Sequence, residues 1–145
     1  MKIVIVSGYF NPLHTGHLDY LEGARRLGDY LVVIVNNDEQ VKIKGSAPFL
    51  SLEDRLRIVQ ALSCVGQSVA SIDTDGSVVK TLEGLYETYS VDWDVDAIIF
   101  ANGGDRKSDD IPEYSLCEGC DIQMVFNVGG GKTQSSSELI DKVKQ

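Results

Sequence analysis

Apolar residues alternate between two rhythms along the chain. Five short runs, Ile3–Val6, Leu31–Val35, Val69–Ile72, Ala97–Phe100 and Ile122–Phe126, are almost continuously apolar and rich in β-branched side chains. Each is too short for a helix and too apolar for a strand with one wet face. The pattern therefore predicts parallel strands buried on both faces. Between the runs, apolar positions recur at the helical period. Leu18, Leu21 and Ala24 mark one face; Leu52, Leu56, Val59 and Leu62 mark a second; Val79, Leu82, Leu85, Tyr86 and Tyr89 mark a third. Ser135 with Glu138 reads as a capping box ahead of Leu139, Ile140 and Val143, so a last helix is expected there. Ser51 with Asp54 reads as the same device with Asp for Glu.

No repeat or linker interrupts this alternation. It predicts one domain over residues 1–145, an α/β fold with a Rossmann-like open parallel five-stranded sheet and helices on both faces. Ligands of such sheets sit beyond the carboxyl ends of the strands, so candidate chemistry is sought just after each run. A chain of 145 residues is long enough to bury a core without staples. The balance of 13 basic against 22 acidic residues gives a net charge of −9. That argues against a general nucleic-acid or anionic-membrane binder while leaving room for a small phosphate pocket. No apolar run approaches a membrane span or a signal-peptide core. Three cysteines cannot all pair in one chain, and the cytoplasm is the expected compartment.

The first run is followed by Ser7-Gly8-Tyr9-Phe10-Asn11-Pro12-Leu13-His14-Thr15-Gly16-His17. Gly8 and Pro12 shape a turn, and Gly16 lets a ligand approach the backbone. The helix that starts here offers free N–H groups and the positive end of its dipole, an anion site. His14 and His17 are the only histidines in the chain. Three residues apart at a helix start, they can donate to one phosphoryl group.

After the second run, Lys42 and Lys44 flank Ile43 beside Gly45, a flexible cationic arm suited to a triphosphate or an acceptor phosphate. After the fourth comes Asn102-Gly103-Gly104-Asp105-Arg106. Its glycines let backbone groups reach a base or ribose edge, and Asp105 can accept from ribose hydroxyls. After the fifth, Gly129-Gly130-Gly131-Lys132-Thr133 imitates a P-loop. The residue five before Gly131 is Phe126, where that motif needs glycine, and the loop follows the last strand instead of the first.

The segment Phe10 to His17 and its continuation from Tyr20 to Asp38 resemble the HxGH nucleotidyltransferase superfamily. The similarity is to its cytidylyltransferase-like branch, which includes glycerol-3-phosphate cytidylyltransferase and heptose-1-phosphate adenylyltransferase. Gln134-Ser135-Ser136-Ser137 resembles the second signature of that family. The resemblance implies transfer of AMP or CMP from ATP or CTP to a phosphorylated small molecule, a sugar or polyol phosphate, with release of pyrophosphate. Asn36-Asn37-Asp38 and Gly103-Gly104-Asp105 favour adenylyl transfer to a heptose-phosphate-like acceptor. A glycerol-3-phosphate-type cytidylyltransferase and a non-catalytic nucleotide sensor are the alternatives.

The resemblance also implies roles. His14, His17 and Lys44 are expected to be catalytic. Gly8, Tyr9, Phe10, Asn11, Gly16, Lys42, Gly103, Gly104, Asp105, Lys132, Ser135 and Ser136 are expected to line the nucleotide pocket. Arg55 matches an arginine found near the nucleotide or at a dimer interface. Many branch members carry Asp where this chain has Asn11. Arg106 replaces a common aromatic residue, facing an acceptor phosphate or solvent. Mg²⁺ is expected to arrive with the triphosphate, with no metal site built from the protein.

A homodimer is expected, its candidate patch around Pro48, Phe49, Leu50, Leu52 and Arg55. Arg57 reads as surface, and Trp93 as a cover for the sheet edge or a partner. Cys117 and Cys120 read as half-buried thiols near a helix end, since no second cysteine pair exists for a zinc site.

Overall fold

A computed structural model describes residues 1–104 and 111–129. Asp105, Arg106, Lys132, Ser135, Ser136 and the expected last helix lie outside the described residues.

The elements run β1 (Lys2–Gly8), α1 (Thr15–Arg25), β2 (Tyr30–Val35), α2 (Asp38–Ile43), α3 (Leu52–Gln60), β3 (Gln67–Ala70), α4 (Val79–Ser90), β4 (Ala97–Gly103), α5 (Tyr114–Gly119) and β5 (Ile122–Val128). All pairings are parallel, in the order β3-β2-β1-β4-β5. This is the open five-stranded sheet that the apolar runs predict. Period-two alternation divides it into two cores. Val4, Val6, Val33, Val35, Ile99 and Ala101 face α1 and α3, where Leu21, Ala24 and Val59 meet them. Ile3, Ile5, Val32, Ile34, Ile98 and Phe100 face α4 and α5, where Leu82 and Cys117 meet them. Both faces of the central strands are dry, as near-continuous apolar runs require. Each fully buried aliphatic side chain contributes about 1.5–3 kcal/mol.

Five details depart from the sequence expectations. The third strand begins and ends two residues earlier, at Gln67–Ala70. It is an edge strand paired only with β2, and Ile72 leaves it at 68% exposure while its N–H caps onto Thr81 Oγ1. Lys42 and Lys44 do not lie on a flexible arm. They belong to α2 and its C-cap, a helix started by a reciprocal Asn37–Gln40 capping box. Trp93 is 89% exposed and covers no sheet edge. Cys117 is fully within the second core, and burial, reinforced by the Glu113 carboxyl, pushes its thiol up to about 12. At the start of α3, Ser51 Oγ accepts from the Asp54 N–H, but Asp54 does not complete a box.

Two features shape the carboxyl edge of the sheet. The β1–β4 ladder runs only from Lys2↔Ala97 to Ile5↔Phe100. Beyond it, β1 stays with β2 as far as Gly8↔Val35, and β4 stays with β5 as far as Gly103↔Val128. The strands part where the strand order reverses, the place where such sheets bind ligands. In β5 an extra residue intervenes between Val125 and Val128, with Asn127 at φ 57. The bulge brings Gly129, at φ 81, so close to α1 that a Cβ there would lie 2.8 Å from Tyr20 Cα.

Among the described residues no helix is long and apolar enough to cross a membrane.

Candidate active site

The exit from β1 is built around an aromatic ring. Phe10 adopts φ 50 and is 1% exposed, its ring folded back over Gly8. A Cβ on Gly8 would stand 2.7 Å from Phe10 Cζ, so only glycine fits. The same ring meets His17 edge-on, with centroids 4.9 Å apart.

His14 and His17 form a capping box made of two imidazoles. His14 is the N-cap of α1, and its Nδ1 accepts from the Gly16 N–H at 3.1 Å. His17 occupies the third helical position, and its Nδ1 accepts from the His14 N–H at 3.1 Å. The rings stack at 3.9 Å, inclined by 26°. A neutral imidazole whose Nδ1 accepts carries its proton on Nε2. The helix start therefore fixes both the orientation and the tautomer of two Nε2–H donors. No acidic residue occupies the first turn of α1, so nothing there opposes an anion on the helix dipole.

Tyr9 carries the site outward. Lys44 Nζ lies 4.5 Å from the centroid of its ring, a cation–π contact that ties the ammonium to the β1 exit. Lys42 is held elsewhere, 3.5 Å from Glu39 and 63% exposed, a surface pair worth little.

Asn11 and Arg55 work inside the protein. Asn11 is 4% exposed; its Nδ2 donates to the Ala47 carbonyl at 2.9 Å, and its Oδ1 accepts from Phe49 and Leu50 N–H. These bonds tie the α2–α3 connection to the β1 exit. They need a group that both donates and accepts, which an ionised Asp is not. The expected dimer-interface place for Arg55 is corrected, because its side chain is 0% exposed. Its Nε donates to the Leu50 carbonyl, Nη1 to the carbonyls of Tyr9 and Asn36, and Nη2 to Asp38 Oδ1 at 2.6 Å. Four of its five N–H bonds thus join the ends of β1 and β2 to the starts of α2 and α3.

Sequence reasoning missed the residues that extend this scaffold. Gln40, fully buried, accepts at Oε1 from Asn36 Nδ2, the Asn37 N–H and Ser71 Oγ, and donates from Nε2 to the carbonyls of Asp75 and Ser77. Asn37 Nδ2 reaches Ser71 and Asp73. Asp73 in turn accepts from the N–H groups of Lys80 and Thr81 at the start of α4. The one legible signal was Asn37 three residues before Gln40, a capping-box spacing.

Across the gap from Gly8, Gly103 ends β4 under the Tyr20 ring, whose hydroxyl donates to the Ala101 carbonyl at 2.6 Å. Gly104 follows at φ 69 in open space. The structure thus assembles Gly8, Tyr9, Phe10, Gly16, His14, His17 and Lys44 on one side of the gap and Gly103 and Gly104 on the other.

Residues 5–127 match the cytidylyltransferase-like family. The chain is similar to bifunctional protein HldE from Hydrogenovibrio crunogenus, with 34% identity over 99% of this chain and 28% of the relative. It is also similar to bifunctional protein HldE from Pasteurella multocida, at 36% over 99% of this chain and 28% of the relative. The chain spans about a quarter of the length of these curated relatives. Among solved structures, a lipopolysaccharide core biosynthesis protein from Thermoplasma volcanium superposes with TM-score 0.66 at 26% identity. That match covers 88% of this chain and 96% of the other.

Proposed function

The chain belongs to the cytidylyltransferase-like family, and we propose that it is a nucleotidyltransferase that transfers the adenylyl group of ATP to the phosphate of a heptose-phosphate-like sugar. An acceptor phosphate oxygen attacks the α-phosphorus in line. The new O–P bond forms as the bond to the bridging oxygen breaks, and pyrophosphate leaves with that electron pair. The nucleophile is already an anion, so positioning and charge stabilisation do the work, with no covalent enzyme intermediate.

The observation that carries this reading is the imidazole capping box. Its two Nε2–H donors, held at a helix start, suit charge that develops on the α-phosphate and the leaving oxygen. Lys44 is assigned to the same charge, and the glycines on both sides of the gap to the nucleotide. Family resemblance adds Asp105 at the ribose and Lys132, Ser135 and Ser136 at the departing phosphates. Arg55 and Asn11 are assigned as positioning residues for the β1 exit.

Mg²⁺ would enter with the triphosphate and neutralise phosphate charge. The residues fit an ion held by phosphate oxygens and water: Asn11 stands in place of a carboxylate, and the first turn of α1 has no acid.

Pyrophosphate release tests the reading. ATP with heptose 1-phosphate is expected to turn over faster than CTP with glycerol 3-phosphate. Faster turnover of the second pair would move the assignment to a cytidylyltransferase, and nucleotide binding without release from any pair would leave a sensor.

We further propose cytoplasmic action and a homodimer. Phe49, 59% exposed on the loop before α3, supports the dimer. Phe49→Glu is expected to give a monomer in sedimentation at micromolar concentration, and a monomeric parent would exclude the dimer.

A further inference from the structure

Asn102 lies on the β4 side of the gap between the strands. Alternation along β4 puts it on the face of Ile98 and Phe100, toward α4 and α5. The extra residue near the strand end belongs to β5, so the alternation in β4 is undisturbed. Asn102 is 4% exposed, and its Nδ2 has no hydrogen-bond partner among the described residues. Glu113, also 4% exposed, precedes α5. Its Oε1 accepts from the Val78 N–H at 3.0 Å, while its Oε2 is buried without a partner among the described residues. Val78, Ile111 and Phe100 share one core cluster, which puts both groups on the same α4/α5 face. Buried polar atoms are rarely left unmatched, and each such case calls for an explanation.

We propose that Asn102 and Glu113 form a subsite for a hydroxyl group of a bound substrate. A hydroxyl donates to Glu113 Oε2 while accepting from Asn102 Nδ2, so it satisfies both groups at once. An ionised phosphate oxygen is a poor match, because it only accepts and would face a carboxyl oxygen. The hydroxyl can come from the sugar acceptor or from the ribose of the nucleotide. The inference rests on the substrate classes proposed above and assigns a different wall of the crevice from the one bearing the histidines.

The test is calorimetric and does not require turnover. ATP, 2′,3′-dideoxy-ATP, heptose 1-phosphate and inorganic phosphate are titrated into the parent chain and into Asn102→Ala and Glu113→Gln. The Gln variant keeps an oxygen for the Val78 N–H and replaces the unmatched acceptor by a donor. Both variants are expected to melt cooperatively. Each should weaken a hydroxyl-bearing ligand by roughly tenfold while leaving its hydroxyl-free counterpart unchanged. A change in heptose 1-phosphate against phosphate identifies the acceptor as the source, and a change in ATP against dideoxy-ATP identifies the ribose. Unchanged affinities throughout, or equal weakening within both pairs, would overturn the subsite. Pyrophosphate release by the parent chain reports separately on the proposed reaction.

Discussion

The two flanks of the crevice use hydrogen bonds in opposite ways. On the β2 and β3 flank, Arg55, Gln40, Asn37 and Asp73 direct their polar atoms at other parts of the chain. On the β4 flank, Asn102 and Glu113 keep buried polar atoms that no group among the described residues satisfies. The first flank is scaffold. It fixes where β1 ends and where α2, α3 and α4 begin. The second, on the subsite proposed above, leaves bonding capacity for a substrate hydroxyl. The histidines stand between the two, with Nδ1 serving the scaffold and Nε2 assigned to the proposed chemistry. Polarity at the carboxyl edge of a sheet is therefore a poor guide to ligand contact until each atom is assigned a partner.

Removal of the scaffold's central cation tests that contrast hardest. Arg55→Met strands three carbonyls and the Asp38 carboxylate, and is expected to lower the unfolding free energy by about 3–5 kcal/mol. Denaturant unfolding measures it, and a loss below about 1 kcal/mol would mean that Arg55 is not the strut described. His17→Ala should instead act on chemistry. Turnover is expected to fall 10²- to 10³-fold, about 3–4 kcal/mol, with about 1 kcal/mol of stability lost through the broken cap. Activity within about threefold of the parent would remove His17 from the transition state.

Asn11→Asp asks whether the amide is structural. An ionised Asp keeps its acceptors for Phe49 and Leu50 but faces the Ala47 carbonyl with an oxygen, which should cost about 1–3 kcal/mol. Stability unchanged from the parent would reopen Asn11 as a ligand contact. The smallest effect separates the two lysines. Lys44→Ala should raise the apparent KM for a phosphorylated substrate more than it lowers kcat, whereas Lys42→Ala should leave both near the parent values. A pure kcat defect in Lys44→Ala would place that ammonium at the transition state, and equal defects in both variants would erase the distinction drawn from their contacts.

The sheet was legible because parallel strands buried on both faces write themselves as unbroken apolar runs. Four of the five strands lie where those runs stand. The edge strand β3 was misplaced by two residues because a strand paired on one side needs less apolar sequence. Helix α2 escaped notice because six residues are too few to show a helical period. The histidine pair was legible from composition and position together, as the only histidines at a strand-to-helix exit. The task of Arg55 was not. Its partners come from Tyr9, Asn36, Asp38 and Leu50, and no spacing along the chain announces that they converge.

The box formed by His14 and His17 ties order to reactivity within each molecule. The bonds that align the rings are the bonds that start α1. If the first turn frays, both rings lose their anchors together, so on the proposed mechanism a molecule with a melted helix start has no competent pair. Amide exchange at Gly16 should accordingly follow the fraction of molecules able to react, which makes one backbone N–H a gauge of how much of a preparation is live.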